Sequence, residues 1–378
     1  MTTTPTRTSP SPSPSPSPAR LQSLDALRGF DMIWIMGGDA VAAAVGKLGA
    51  GNWLSRQFEH ADWEGFHFYD LIFPMFVFMV GVAITFSLGR IVSEGGAACA
   101  VRRIVRRSAI LFVIGVLFYG GLDGPLSHVR LLGVLQRIAL CYFFAGLLFV
   151  YLRPRGLVAV LAAILAGYWL LMRFWPVPGW GAGDFAEGHN LANWIDSRWL
   201  PWRKWDGDHD PEGLLSTLPA VATCLLGVLS GLVLRGARRP SQKAVLLASA
   251  GALLAGLGYL WGLEFPIIKK VWTSSYVLVA GGWSMLFLSL FYYVIDVRGA
   301  ARWSIPFVWV GTNALAIYVT AEVADFRKVA SRFTGGPVHA RLEALAGGLG
   351  DLVTGLAAVG VCLALGRFLY TRRVFIRL

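Results

Sequence analysis

The sequence predicts an all-α integral membrane protein, a polytopic bundle of about ten transmembrane helices with both termini in the cytoplasm. Hydrophobic residues make up 56% of the 378 residues and charged residues only 15%, whereas soluble proteins are about 25% charged. The apolar residues come in blocks of about twenty, the length that crosses a hydrocarbon layer ~30 Å thick. A water-soluble globule is therefore excluded, and blocks this long favour helices over barrel strands.

Residues 1–20 are predicted to form a disordered tail. They are almost entirely Thr, Ser and Pro, with a Ser-Pro repeat from Ser9 to Pro18, and this composition neither forms a helix nor buries apolar surface. Residues 21–378 are predicted to be one transmembrane domain with two long outer loops, at 46–69 and 176–213.

Ten apolar blocks follow the tail, and each predicts one transmembrane helix. They cover residues 29–45, 70–89, 108–121, 134–152, 156–175, 214–234, 244–263, 272–295, 304–321 and 349–370.

The lysines and arginines orient these helices. Connections on the side of the N-terminal tail, together with the helix ends there, hold 20 of the 34 Lys and Arg, but only four of the 22 acids and none of the six histidines. Cytoplasmic loops carry an excess of Lys and Arg, so this side is predicted to be cytoplasmic. The net charge of +12 therefore reflects membrane orientation and not nucleic-acid binding. Polar chemistry is expected on the outer face.

The first outer loop is the strongest candidate for a functional site. It reads EHADWEGFHFYD from Glu59 to Asp70 and is followed at once by the apolar run LIFPMFVFMVG. Ionisable groups at a membrane entrance are costly unless they pair or face a cavity. His60 is flanked by carboxylates that could hold one ring nitrogen protonated while the other accepts a substrate proton, which predicts a general base. The remaining loop histidines are expected to be solvated: His128, His189, His209 and His339.

A metal site is the competing interpretation of this loop, and it is not favoured. His60, Asp62, Glu64 and His67 match no known zinc spacing. The string DGDHDPEG from Asp206 fails as a calcium loop, because proline stands where the turn glycine belongs. Three of the four cysteines lie in predicted spans, so no cysteine-based metal site is predicted either.

Asp39 lies at the outer end of the first predicted span, in the string Met36-Gly37-Gly38-Asp39. The glycines allow close approach of a helix or a ligand. The Asp39 carboxylate could orient His60 or hold an ammonium group; alternatively it is an interfacial residue that points at water.

The second long loop combines tryptophans with acids. Six tryptophans lie between Trp175 and Trp205, and Asp210 and Glu212 lie near its end. Such tryptophans often belt the membrane interface, but aromatic faces beside carboxylates also suit a sugar.

Three polar residues fall inside the apolar blocks: Gln136 and Arg137 in the fourth, and Asn313 in the ninth. An arginine within a span is expected to face the bundle interior. Its partner is not evident from the sequence.

Several motifs in one order resemble the heparan-alpha-glucosaminide N-acetyltransferase family, including bacterial relatives of the N-acetylglucosamine-utilisation type. They are SLDALRGFDMIWIMGG, HADWEGFHFYDLIFPMFVFMVG, LLGVLQRIA, DPEGLLST, WTSSYVL and GTNALAIYV. The resemblance covers nearly the whole chain after Arg20.

The resemblance implies transfer of an acetyl group from cytoplasmic acetyl-CoA to the amine of a glucosamine on the far side of a bacterial inner membrane. His60, in the string His60-Ala61-Asp62-Trp63-Glu64-Gly65, would be the catalytic histidine, acting as a general base or as an acetyl-accepting nucleophile. The further residues that the resemblance brings forward are Trp63, Asp70, Gln136, Arg137, Asp210, Glu212 and Asn313. The resemblance also favours a homodimer.

The chain departs from the family pattern in places. Asp39 stands where the lysosomal enzyme has an active-site Asn, and an insertion around 42–55 lengthens the distance from there to His60. The lysosomal enzyme's luminal N-terminal domain is not part of this sequence. Two other functions stay open from the residues themselves: a transporter of amino sugars or glycan fragments, whose intramembrane polar groups line a passage, and a membrane scaffold without chemistry.

Overall fold

The fold was analysed in a computed structural model, which describes residues 21–47, 53–118, 121 and 124–375. The predicted tail at 1–20 lies outside the described residues, and so do the side chains of Asp39, Ala40, Ala43 and Leu54.

Fourteen α-helices make up most of the described chain. The longer ones are α1 (Gln22–Lys47), α3 (Ile72–Phe118), α4 (Val134–Tyr151), α5 (Pro154–Phe174), α7 (Thr217–Arg235), α8 (Pro240–Trp261), α9 (Ser274–Phe291) and α14 (Leu349–Thr371). The shorter ones are α2 (Trp53–Gln57), α6 (Leu191–Trp199), α10 (Ile305–Gly311), α11 (Ala314–Ala324), α12 (Phe326–Thr334) and α13 (Pro337–Leu345).

Seven helices of the described chain are long and apolar enough to cross a membrane, or eight if α10 and α11 together form one span. A polytopic helical membrane protein is therefore the class that the structure supports. The number of about ten crossings and the cytoplasmic position of the termini stay predictions.

The second and third apolar blocks both belong to α3, which the backbone divides in two. Gly96 has a φ of 76°, in the left-handed region that glycine adopts most readily. A Cβ on Gly146 of α4 would lie 3.4 Å from a methyl carbon of Leu88 and 3.2 Å from one of Ile104. A straight helix would separate those two residues by about 24 Å at ~1.5 Å per residue. The two halves of α3 therefore fold back at Gly96 and pack side by side on α4.

The ninth apolar block is also interrupted. Helices α10 and α11 meet at an angle of 65°, and the break contains Asn313. The amide of Asn313 donates to the carbonyl oxygen of Val374, just beyond the end of α14, over 3.0 Å.

Glycines bring neighbouring helices into backbone contact. A Cβ on Gly81 or Gly227 would overlap a carbonyl oxygen of the facing helix, so α3 and α7 approach as closely as backbones allow. Gly29 and Gly311 do the same for α1 and α10. Small residues at such crossings gain dispersion contacts, which drive helix association in lipid.

The connections at one end of the bundle are short and those at the other end are long. We call the second end the His60 end. Its connections run over residues 53–71, 124–133, 175–216 and 262–273.

Three of these connections pack together as a cap. The backbone N–H of Gly65 donates to the carbonyl oxygen of Ile267 over 2.9 Å, beside an isolated bridge between Glu64 and Ile268. The indole N–H of Trp63 donates to the carbonyl oxygen of Phe185 over 2.9 Å. Residues far apart in the chain therefore meet above the helix ends.

Candidate active site

His60 and Asp70 form a hydrogen-bonded pair in the cap. Nδ1 of His60 lies 2.8 Å from Oδ1 of Asp70. The Asp70 side chain is 1% exposed, whereas the His60 side chain is 52% exposed. A carboxylate only accepts hydrogen bonds, so Nδ1 carries the proton and Nε2 keeps its lone pair. The ring is thereby held through Nδ1, and Nε2 is the nitrogen that can accept a proton.

The local backbone holds Asp70 in place. Its Oδ2 accepts the N–H of Ala61 over 3.2 Å and the N–H of His67 over 3.0 Å. Its own carbonyl oxygen accepts the hydroxyl of Tyr276, at the start of α9, over 2.8 Å. The carboxylate lies in the 3-10 turn Phe68–Leu71 that leads into α3, so the packed bundle fixes the position of the histidine's partner.

Lys269 completes this group. Its Nζ lies 2.8 Å from Nδ1 and 3.2 Å from Nε2 of His60, and 3.3 Å from Oδ1 of Asp70. The residue comes from the connection before α9, 209 positions from His60 in sequence. Lys269 was not among the site residues predicted from the sequence. The sequence signal for it is weak: a Lys-Lys pair on the predicted outer side, separated by one residue from the WTSSYVL motif.

A second polar group lies beneath the cap and is built around Arg130. Its guanidinium donates to both carboxylate oxygens of Asp210, over 2.8 and 2.6 Å, and also to Glu212. The arginine is 4% exposed, and its guanidinium carbon lies 5.0 Å from the ring centroid of Trp205. The acids of the D-P-E-G motif thus belong to a buried ion-pair network, and Arg130 is a residue that sequence analysis did not select.

Arg137 lies next to this network, inside the bundle and fully buried. One of its nitrogens donates to the hydroxyl of Ser216 over 2.5 Å, and the guanidinium carbon lies 4.8 Å from the ring centroid of Trp272. Nε and Nη1 of Arg137 have no hydrogen-bond partner within the described chain, and neither does Oε1 of the adjacent Gln136. Such unpaired buried groups are rare in folded proteins and call for an explanation.

The start of α9 connects the two polar groups. Trp272 contacts Arg137 on one side and packs edge-to-face on Tyr276 at 5.3 Å between ring centroids. Tyr276 in turn donates to Asp70. Aromatic and hydrogen-bond contacts therefore run continuously from the His60 cluster to the buried arginine.

Comparison with known proteins identifies the family. A family model described as heparan-alpha-glucosaminide N-acetyltransferase, catalytic, matches residues 20–260, which is more than half of the chain. The chain belongs to the heparan-alpha-glucosaminide N-acetyltransferase family. The resemblance drawn from the motifs is thereby confirmed.

Two curated relatives carry that name. The heparan-alpha-glucosaminide N-acetyltransferase of Homo sapiens is 28% identical over 374 residues, covering 81% of this chain and 53% of the relative. The enzyme of Mus musculus is 27% identical over 375 residues, covering 81% of this chain and 54% of the relative. The chain spans about half the length of the curated relatives it matches.

Asn313 and Trp63, two further family-motif residues, have other contacts in the structure. Asn313 is placed at the break between α10 and α11, where it holds the chain after α14. Trp63 lies in the cap with its ring 5.9 Å from Nζ of Lys270. Asp39 belongs to α1, but its side chain is outside the described residues, so its expected role beside His60 stays a prediction.

One group in the described chain has ligands for a cation. Glu187, Asp206 and His209 offer ligand atoms within 4.8 Å of one another. The ammonium of Lys270 already lies 2.7 Å from Glu187 and 3.1 Å from Asp206. Burial disfavours this ammonium, but the two carboxylates outweigh burial and raise the pKa of Lys270. A bound metal would have to displace this internal cation.

The expectation that His209 is a solvated loop residue is wrong. Its side chain is 5% exposed, and Nδ1 lies 2.6 Å from a carboxylate oxygen of Asp208. The reason is that the loop 206–210 folds back on itself, with the N–H of Asp206 donating to the carbonyl oxygen of His209.

Asp196 of α6 fixes the D-P-E-G segment. Its Oδ1 accepts the N–H of Leu214 over 2.8 Å, and its Oδ2 accepts the N–H of Asp210 over 3.4 Å. Burial raises the pKa of Asp196 to about 6, against the lowering effect of these hydrogen bonds. The carboxyl therefore titrates close to the pH of many assays.

Proposed function

We propose that the chain is a transmembrane acetyltransferase that moves an acetyl group from cytoplasmic acetyl-CoA to the amine of a glucosamine-type sugar. The acceptor would bind at the His60 end, on the periplasmic side of a bacterial inner membrane. The observation that carries this proposal is the half-exposed imidazole of His60, held through Nδ1 by the buried carboxylate of Asp70. Family membership supplies the class of reaction.

In the proposed mechanism, Asp70 orients the ring and stabilises the imidazolium that forms. Nε2 of His60 takes a proton from the acceptor's nitrogen as that nitrogen attacks the acetyl carbonyl carbon. The new C–N bond forms, the C–S bond breaks, and the thiolate leaves as CoA after receiving a proton. A second form of the mechanism makes Nε2 the nucleophile, with an acetyl-imidazole that the sugar amine then resolves.

The two substrates would reach His60 from opposite directions. Arg137 and Gln136 carry buried polar atoms that have no partner among the described residues, as expected if they meet the polar groups of an extended donor such as CoA. The cap presents aromatic rings and carboxylates, which suit sugar rings and hydroxyls. We include Trp63 in the acceptor site and place Asp210 and Glu212 behind it, where they hold Arg130. A homodimer, which the resemblance favours, belongs to the same proposal.

The experiment is acetyl transfer by the purified chain with a matched histidine control. His60→Ala should reduce CoA release with glucosamine by at least about 100-fold, the usual contribution of general base catalysis. His67→Ala removes a histidine of the same loop whose Nδ1 lies 3.0 Å from the carbonyl oxygen of Glu59, and it should retain activity. A His60→Ala variant that is as active as an active His67→Ala variant would refute the role of His60.

Transport of amino sugars is the second candidate. The buried groups of Arg137 and Gln136 that lack a partner within the described chain favour it, because such groups also suit a substrate passage. The same preparation in proteoliposomes separates the two functions. A transporter would move labelled glucosamine unmodified and without acetyl-CoA, whereas an acetyltransferase would release CoA and deliver only acetylated sugar.

A further inference from the structure

We propose that Lys269 is an internal acetyl acceptor: in the absence of sugar, the site acetylates this lysine from an acetyl thioester. The inference rests on the proposed function, because it requires the donor's acetyl group to reach His60. It assigns a modification site to a residue that lies beyond the stretch 20–260 matched by the family model.

The amine of Lys269 lies where an acceptor amine would have to lie. A general base must be within about 2.6–3.2 Å of the group whose proton it removes. Nζ of Lys269 is 3.2 Å from Nε2 of His60, the ring nitrogen that does not face Asp70. A lysine side chain ends in a primary amine, which is also the nucleophile of glucosamine. The structure thus holds an amine of the substrate's chemical class against the base.

The charge environment is also that of an acceptor site. Oδ1 of Asp70 lies 3.3 Å from Nζ of Lys269 and 2.8 Å from Nδ1 of His60, so one carboxylate oxygen contacts both the ammonium and the imidazole. The Lys269 side chain is 23% exposed, which leaves it within reach of a small acetyl group. An incoming sugar ammonium would compete for the same carboxylate and the same ring nitrogen.

The next residue provides a control within the chain. Lys270 has the same side chain and the same loop, but its Nζ pairs with Glu187 over 2.7 Å and Asp206 over 3.1 Å. Its hydrogen-bond partners are carboxylates and not the imidazole of His60. Two adjacent lysines thus differ in their access to the base.

The Lys269 ammonium first loses one proton to solvent, and its neutral nitrogen attacks the carbonyl carbon of the acetyl thioester. A C–N bond forms, the C–S bond breaks, and the second nitrogen proton passes to Nε2 of His60. The imidazolium then gives that proton to the departing thiolate, so the products are acetyl-lysine and CoA thiol. The neutral amide can no longer pair with Asp70 and would fill the acceptor position.

The test is mass spectrometry of the full-length chain after incubation with isotope-labelled acetyl-CoA and no sugar. Label at Lys269 should form about 100-fold or more faster than at Lys270, because only Lys269 has the general base beside it. His60→Ala should lower the rate at Lys269 to that of Lys270, and excess glucosamine should protect Lys269. Lys269→Arg should remove the label, since a guanidinium is not acetylated.

The wild-type comparison of the two lysines needs no variant, so it stands even if His60→Ala misfolds. Equal label on Lys269 and Lys270, or label that His60→Ala does not reduce, would overturn the inference, because the lysines would then be acetylated without help from His60. No label on Lys269 in a preparation that acetylates glucosamine would overturn the inference and leave the proposed function intact. No label and no acetylated glucosamine would overturn both.

Discussion

Replacing Asp70 by Asn tests how the structure makes His60 a base. The carboxylate accepts the Nδ1 proton of His60 over 2.8 Å and is 1% exposed, so water cannot replace it. An amide of the same shape keeps the volume but removes the charge. If its NH₂ group faces the ring, it donates to Nδ1 and forces the proton onto Nε2, where the acceptor's proton should go.

Loss of the hydrogen bond between Asp70 and His60 gives the smallest decrease in kcat to be expected. A hydrogen bond to a charged group contributes about 1.5–3 kcal/mol, and each ~1.36 kcal/mol in a barrier is tenfold in rate. Asp70→Asn should therefore lower kcat by at least about 10- to 150-fold, and the wrong ring tautomer would lower it further. The matched control is Asp62→Asn, the same chemical change at an exposed position of the same loop.

The assay is the initial rate of CoA thiol release by purified protein in detergent with acetyl-CoA and glucosamine. The melting temperature of each variant is measured in parallel, because Asp70 also accepts backbone N–H groups from Ala61 and His67. Asp62→Asn should match the wild type. A folded Asp70→Asn variant with kcat within twofold of wild type would refute the orienting role of this carboxylate.

Three further predictions concern stability. Arg130→Ala leaves two buried carboxylates without their cation and should lower the free energy of unfolding by about 3–5 kcal/mol. Denaturant unfolding in detergent measures this loss, and a loss below about 1 kcal/mol would contradict a buried network. Because the pKa of Asp196 is raised to about 6, the contribution of this carboxyl to stability is full below about pH 4 and is lost as the pH rises through about 6. The melting temperature of the wild type should therefore fall across that window more steeply than that of Asp196→Asn. Parallel plots of melting temperature against pH for the two proteins would contradict this prediction. Gly227→Ala places a methyl group on a carbonyl oxygen of α3 and should lower the melting temperature. Gly256→Ala is the control, because a Cβ there meets nothing within 4 Å, and it should leave the melting temperature unchanged. Equal effects of the two substitutions would argue against close packing of α3 and α7.

Hydropathy predicted the apolar helices because lipid contact requires long apolar segments. It placed a connection at 90–107, although α3 is helical through most of that stretch. Arg102 and Arg106 are good helix formers, so the helix continues where the apolar pattern stops, and only Gly96 breaks it. Short helices of mixed polarity such as α6 carry no hydropathy signal.

The sequence could predict the part of the candidate site whose residues lie close together in the chain. His60 and Asp70 lie ten residues apart, and the loop leading into α3 brings them together. Lys269 and Arg130 were not predictable as site residues, because only the packing of loops distant in sequence places them against His60 and Asp210. The partners of Arg137 were missing for the same reason: they come from the residue just before α7 and from the residues just before α9.

In the proposed function, acetyl groups from one side of the membrane meet an acceptor at His60 on the other. Sealed vesicles containing oriented protein test it most directly, with labelled acetyl-CoA confined to the cytoplasmic side and glucosamine to the opposite side. We expect labelled N-acetylglucosamine to accumulate only in the glucosamine compartment, at a rate that His60→Ala abolishes and His67→Ala does not. Product formed only when both substrates share one compartment would contradict the account.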